Sequence, residues 1–395
     1  MKIELHMIQN FAPACLNRDD TNSPKDCVFG GVRRARISSQ CIKRAIRKAF
    51  RDEQLLPPEH LAKRTKRLAE EVARRLKAGG KDYETARTAA ETAIGGLGFG
   101  VDDDGRTQYL LFLGESGIQA LAQLCQDHWD QLATIAAKTQ AAKEGKPARS
   151  AKDAKKAASE AVPKEIKESL AAVLDGTKAA DLALFGRMLA DIPGQNIDAA
   201  CQVAHALSTH KVEMEMDYFT AVDDLKADEE DPGADMIGTI GYNSSCFYRY
   251  AVIDLPQLIE NLGKDRELAE KTVEAFLRAS ATAIPTGKQN TFAAHNPPDF
   301  ILALVRRAGT PVSLANAFVD PARPRDGKDL TQVSVDAIHD YWTRLTAVYG
   351  AGELDRPFFC GLTGPSGTAD DWQDVGSLKG LIGSVMASVR KGGRE

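Results

Sequence analysis

Between positions 33 and 51 the chain carries eight basic residues, Arg33, Arg34, Arg36, Lys43, Arg44, Arg47, Lys48 and Arg51, and no acidic one. Guanidinium forks and ammonium groups at this density suit phosphate oxygens, and here they flank two hydroxyls, Ser38 and Ser39, followed by Gln40. Serine ahead of an apolar-periodic segment caps a helix, whose first-turn N–H groups add partial positive charge at the same place. The pattern predicts a local phosphate-binding surface where a Gly- and Arg-rich loop runs into a helix; a solvated basic helix face is the plainer reading of the same charges. Lys and Arg number 51 against 55 Asp and Glu, a formal net charge of −4, so coating of polyanions through an overall positive field is excluded.

Other chemistries find less support. The seven cysteines (Cys15, Cys27, Cys41, Cys125, Cys201, Cys246, Cys360) are odd in number and scattered without a C-x-x-C pair, and the seven histidines add no short-spaced cluster. Reduced thiols, no metal and no cofactor are expected. The glycine-rich segment 95–100 lacks the Lys-Ser/Thr ending of a phosphate loop, and after Gly287-Lys288 the side chain of Gln289 stands where a magnesium-binding hydroxyl would be needed. The acidic run 228–235 reads as a solvated loop.

The elements that must position the basic segment follow from periodicity. Ile3, Leu5 and Met7 alternate with Lys2, Glu4 and His6, predicting a strand over 2–8 with one buried face. Residues 11–36 show no clear period and read as a long functional loop. Ile42, Ala45, Ile46, Ala49 and Phe50 recur at helical spacing after the Ser38-Ser39 cap. From 59 to 190, Ala, Leu, Glu, Lys and Arg predict a helical insertion and no further sheet. Strands are expected at 212–218 and 245–253, joined as a long hairpin, and near 300–305; helices are expected near 265–281, 335–348 and 378–389. No signal-peptide pattern opens the chain and no apolar run is long enough to span a bilayer, so a cytoplasmic location without membrane association is expected. The order fits an α+β chain with a ferredoxin-like or RNA-recognition-motif core carrying insertions.

A set of motifs goes further: Cys15-Leu16-Asn17-Arg18-Asp19-Asp20, Phe29-Gly30-Gly31, and Arg33-Arg34-Ala35-Arg36-Ile37-Ser38-Ser39-Gln40. They continue in Ala204-His205-Ala206, Asp217-Tyr218-Phe219-Thr220-Ala221-Val222-Asp223-Asp224, Phe247-Tyr248-Arg249-Tyr250, Gly287-Lys288-Gln289 and Ala315-Asn316-Ala317-Phe318. In content and order this series closely resembles the CasC family, the backbone subunits of type I-E CRISPR Cascade complexes, over most of the chain.

The resemblance implies a hand-shaped fold. The palm would comprise 1–55 and 192–395, with a thumb hairpin at about 208–250, and helical fingers would occupy 56–191. It implies a non-catalytic protein that polymerises head to tail along crRNA and presents the guide to target DNA in antiviral defence. Other Cascade subunits would join it, and the assembled complex would recruit a helicase-nuclease. Implied RNA contacts are Arg18, Lys25, Arg33, Arg34, Arg36, Ser38, Ser39, Gln40, Lys43, Arg44, Arg47, Lys288 and Gln289. Tyr218 and Phe219 would wedge against a displaced base, with Met188 making a further apolar contact; periodicity alone would place the two aromatics in a core. Lys138, Lys143 and Lys146 would grip target DNA, although a solvated helix face reads equally well there. Related type III backbone subunits cleave RNA, so the alternative is a metal-dependent ribonuclease using Asp19, Asp20 or Asp26. A filament protein independent of RNA is the third reading.

Overall fold

Alternation in the opening residues produces a strand, β1 (Lys2–Ala14), but its polar positions are not solvated. Glu4, His6 and Gln9 are as buried as Ile3, Leu5 and Met7. Glu4 accepts from Arg306 Nε at 2.8 Å and from Tyr250 Oη at 2.9 Å. His6 Nδ1 lies 2.9 Å from Tyr248 Oη, and Gln9 Oε1 accepts from Arg249 at 2.6 Å. Charges are tolerated inside a protein only when paired, so this alternation encodes an internal polar network instead of a wet face.

The computed structural model describes residues 1–145, 161–173, 178–189, 192–221, 236–367 and 371–392, with the side chains of 139–145 and 171–172 excepted. After β1 come β2 (Asp26–Phe29), β3 (Val32–Ile37) and helix α1 (Ser39–Asp52). Two further strands, β4 (Ala62–Thr65) and β5 (Leu111–Gly114), lie among the helices that follow. The chain continues through β6 (Cys201–Val203), β7 (Ala206–Ser208), β8 (Glu215–Ala221), β9 (Met236–Asp254), β10 (Phe300–Arg306), β11 (Phe358–Gly361) and β12 (Gln373–Asp374).

Contacts divide the chain into two units, Met1–Leu55 with Cys201–Leu255 and Glu270–Glu395, and Leu56–Ala200 with Pro256–Ala269. The first holds a large mixed sheet in the order β12-β11-β10-β1-β9-β7-β3-β2, with β6 and β8 also paired to β9. All its pairs are antiparallel except β11 with β12. Counting β1, β6/β7, β9 and β10 as four principal strands, their spatial order is fourth, first, third, second. Helix α1 precedes the second of them and helix Arg266–Thr282 precedes the fourth. One core of this unit packs Ile8, Tyr248, Phe300, Leu302 and Leu304 of the sheet with Val335, Ile338 and Trp342 of helix Leu330–Tyr349.

In the second unit, helices Leu68–Ala78, Tyr83–Gly96, Glu115–Asp127 and Lys164–Val173 pack Val72, Ala90, Ile94, Leu121 and Leu170 into one core. The expectation of helices alone is corrected here, because β4 and β5 pair antiparallel, Lys63 opposite Leu113. Four residues per strand give too short an alternation to register against the helical background. No helix among the described residues is long and apolar enough to cross a membrane.

Candidate nucleic-acid interface

The segment read as an unpatterned loop contains a hairpin that aims the chain into α1. Gly30 and Gly31 have φ of +61° and +78°, the backbone a two-residue turn of the primed type requires, and they join β2 to β3 with Phe29 opposite Val32. One residue after β3, Ser38 caps α1: its Oγ accepts from Cys41 N at 3.3 Å, while its own N–H donates to Asn17 Oδ1 at 2.9 Å. Burial of Ile42, Ala45, Ile46, Ala49 and Phe50 leaves Lys43, Arg44, Arg47, Lys48 and Arg51 on the less buried side, and no acidic residue occupies the first turn. Gln40 is exposed and Ser39 half-buried at the same helix start.

Two other segments bring their cations to this place. Arg18 donates to Asn22 Oδ1 at 2.5 Å and lines an open depression of about 410 Å³ with Leu16, Asn17, Asp19, Asn22 and Gly287. A Cβ at position 287 would stand 2.3 Å from the Leu16 carbonyl oxygen, so glycine is what lets the next residue, Lys288, approach. Lys288 itself holds a left-handed φ of +50°. Backbone outside its ordinary range collects where a side chain must be presented in one direction. Burial raises the Cys15 thiol pKa against the opposing pull of Arg18 and Lys288, and burial raises that of Cys41 against Arg44 and Lys25. Arg18 and Lys288 thus lie by Cys15, and Lys25 and Arg44 by Cys41, and the bonds from Ser38 N to Asn17 Oδ1 and from Cys41 Sγ to Leu16 O bring the end of β1 and the start of α1 together. Cations so grouped can hold a chain of phosphates through charge-assisted hydrogen bonds.

Several expected contacts are placed differently. Arg34 is fully buried, donating to the carbonyl oxygens of Thr209 at 2.8 Å, Phe318 at 2.6 Å and Phe29 at 3.2 Å. It presents no surface to a ligand and instead ties the hairpin to two distant segments, a correction to its expected role in RNA contact. Gln289 Nε2 donates to Pro285 O and Ala294 O, at 3.1 and 3.2 Å, closing its own loop. Its Oε1 is buried without a partner among the described residues. Arg33 is exposed and ion-paired with Asp26 at 3.2 Å.

Among the described residues strand β8 pairs with the outer half of β9 alone, forming a two-stranded ribbon. Its expected start at 212 is late in the structure, because Val212 is buried and donates its N–H to Arg33 O, inside the first unit. Phe219 sits opposite Gly238, where a Cβ would lie 2.3 Å from its ring, so the aromatic covers the glycine. Tyr218, opposite Thr239 on the other face, is 61% exposed. Met188 is 83% exposed in the second unit, and Lys138 is exposed on helix Trp129–Gly145. The Lys143 side chain, Lys146 and the acidic run 228–235 lie outside the described residues.

The carboxylates of the ribonuclease alternative are not gathered. Asp19 Oδ1 accepts from Thr21 Oγ1 and from the N–H groups of Thr21 and Ser23, and the Thr21 hydroxyl leads the interactions that lower its pKa. Asp26 faces Arg33, and among the described residues no three His, Cys, Asp or Glu side chains group to hold a metal. Two residues that periodicity and charge did not single out belong to the site. Asn17 holds the cap residue from 21 positions away, and His205 accepts from Arg36 at 3.0 Å. Both stand in motifs quoted for the family resemblance but carried no role there, since the two pairings exist only once β1, β3 and the β6–β7 link are neighbours.

Fold and surface define an α+β protein in which one sheet, one capped helix and two loops concentrate cations on an otherwise acidic chain. The chain belongs to the CT1975-like protein family, whose model matches residues 3–381. It is similar to a solved chain described as "CRISPR RNA-guided surveillance complex, pre-nicking", at 30% identity and TM-score 0.83, covering 98% of this chain and 100% of that one. A second, described as "CRISPR RNA-guided surveillance complex", shares 27% identity at TM-score 0.71 with the same coverage. No curated protein matches the chain. The sequence resemblance to a Cascade subunit agrees with the family and with both structures.

Proposed function

We propose that this chain is the crRNA-binding backbone subunit of a type I-E Cascade complex acting in antiviral defence. The observation that carries the reading is the convergence of Arg18, Lys25, Arg44 and Lys288 around the capped start of α1. Its support from outside is the likeness over nearly the whole chain to subunits of CRISPR RNA-guided surveillance complexes. The antiparallel order fourth, first, third, second fits an RNA-recognition-motif palm within 1–55 and 192–395. The β8–β9 ribbon fits a thumb, and the helical unit fits fingers in 56–191.

The mechanism is ordered binding without a chemical step. Cations and first-turn N–H groups fix the guide's backbone, which leaves its bases to pair with target DNA at a reduced entropic cost. Tyr218 and Phe219 stand on the ribbon as the wedge beside a displaced base, and stacking of that kind is worth about 1–3 kcal/mol per base. Met188 adds an apolar contact, and Lys138, Lys143 and Lys146 hold target DNA. Copies joined head to tail make a heterologous, helical assembly completed by other Cascade subunits, and a separate helicase-nuclease destroys the target.

Purification after co-expression with a CRISPR array, followed by ribonuclease digestion, tests this. Protected RNA in steps of constant length, unchanged by magnesium, is the expected result. Magnesium-dependent cutting would overturn it in favour of a ribonuclease, and absence of RNA would leave only a bare filament.

A further inference from the structure

Arg36 lies in the middle of the basic segment, yet a flexible arginine contributes little to recognition unless its guanidinium is already aimed. Two contacts aim this one. Nε donates to the Asp26 carbonyl oxygen at 3.1 Å, and Nη1 lies 3.0 Å from His205 Nδ1. A guanidinium has donors only, so the short distance requires Nδ1 to be the acceptor and places the proton of the neutral imidazole on Nε2. The rest of the Arg36 fork makes no other hydrogen bond among the described residues.

The surroundings keep His205 in that state. It lies in the link between β6 and β7, and the charged groups acting on it are Arg36 from β3 and Lys25 from the segment ahead of β2. Both are cations. Burial first, then Arg36 and Lys25, lower its pKa from the ordinary histidine value, which favours the form able to accept. A lysine or arginine at 205 would repel Arg36, and an apolar side chain would leave the guanidinium held by one bond.

We propose that His205 is a positioning residue of the RNA-binding surface, holding Arg36 through its unprotonated Nδ1 so that the free part of the fork is presented to a backbone phosphate. The inference rests on the reading of this surface as an RNA site and adds to it a residue that acts only through another. The full chain is titrated with labelled, unstructured single-stranded RNA, comparing wild type, His205→Ala, His205→Asn, Arg36→Gln and the double variant His205→Ala/Arg36→Gln, with thermal unfolding as the folding control. Asparagine keeps an acceptor where Nδ1 stands.

His205→Ala should weaken binding on the order of five- to tenfold, the weight of one charge-assisted contact. It should also flatten the dependence of log affinity on log salt by about 0.7, the increment for one single-strand phosphate. His205→Asn should restore both, and His205→Ala should add nothing once Arg36 is Gln. Additive losses, or failure of asparagine to rescue, would overturn the positioning role while wild-type binding still stood. Absence of wild-type binding would overturn the RNA reading itself.

Discussion

Replacing Arg34 by Met should unfold the first unit more readily, although the position lies in the most basic stretch of the chain. Three carbonyl oxygens accept from this guanidinium within 3.2 Å, those of Phe318, Thr209 and Phe29. Each bond to a charged donor is worth roughly 1.5–3 kcal/mol, and an abandoned buried acceptor adds its own desolvation cost. Against this stands the relief of no longer burying a cation. Setting the two together, we expect a net loss of about 1–3 kcal/mol, the cost of leaving a buried neutral acceptor unsatisfied, since no charge is stranded. Arg34→Lys should recover part of it, since an ammonium cannot reach three separated carbonyls from one position. Urea denaturation followed by circular dichroism measures the change in midpoint, and RNA titration under conditions where both proteins are folded measures the rest. An unchanged midpoint with lost RNA binding would refute the assignment of Arg34 to structure.

Charge reversal of Lys43 and Arg44 to Glu should weaken RNA binding at least tenfold and reduce its salt dependence, with the unfolding midpoint moved by less than about 1 kcal/mol, as both lie off the buried face of α1. Phe219→Ala should uncover Gly238 and speed amide exchange across 236–242, whereas Tyr218→Ala should leave exchange unchanged; equal effects would mean that the two share one packing role. Burial first, then Arg306, lowers the His6 pKa from 6.5 to about 3. The folded state therefore binds fewer protons than the unfolded one between those values, and stability falls by up to about 1.4 kcal/mol per unit as pH drops through that window. His6→Gln should flatten this acid limb in denaturation curves taken across it.

What could be read from sequence was whatever local chemistry decides. The cap at Ser38 and the helical spacing of Ile42, Ala45, Ile46, Ala49 and Phe50 reproduce α1. The helices near 265–281 and 378–389 and the strand near 300–305 appear within a residue or two of their expected bounds, as Arg266–Thr282, Leu378–Lys391 and Phe300–Arg306. The β2–β3 hairpin escaped because the inward position of β3 is an arginine: charge at 34 marks surface in any local reading, and only the carbonyls of residues 209 and 318 make it interior. The same holds for Glu4 and His6, whose partners arrive from β9, β10 and residue 312. Strands β6 and β7, three residues each, gain their hydrogen bonds from β9 and β3 and carry no period of their own. The cationic residues of the surface were visible as types, whereas Asn17, which holds the Ser38 N–H, and His205, which holds Arg36, stood in quoted motifs without a role of their own.

The two glycines at the tip of the β2–β3 hairpin share a turn but not a constraint. At Gly31 the demand is a left-handed backbone, since no atom of the described residues lies within 4 Å of where a Cβ would be, and asparagine or aspartate can meet that demand. At Gly30 the same backbone comes with a Cβ position 2.0 Å from the Val319 carbonyl oxygen, which excludes every side chain. A saturation library across this turn would thus record two tolerances side by side, a narrow set of residues at 31 and glycine alone at 30. Position 30 reports the docking of residues 318–319 onto the hairpin, the segment that Arg34 also grips, so losses there would measure an interaction spanning nearly three hundred residues of chain.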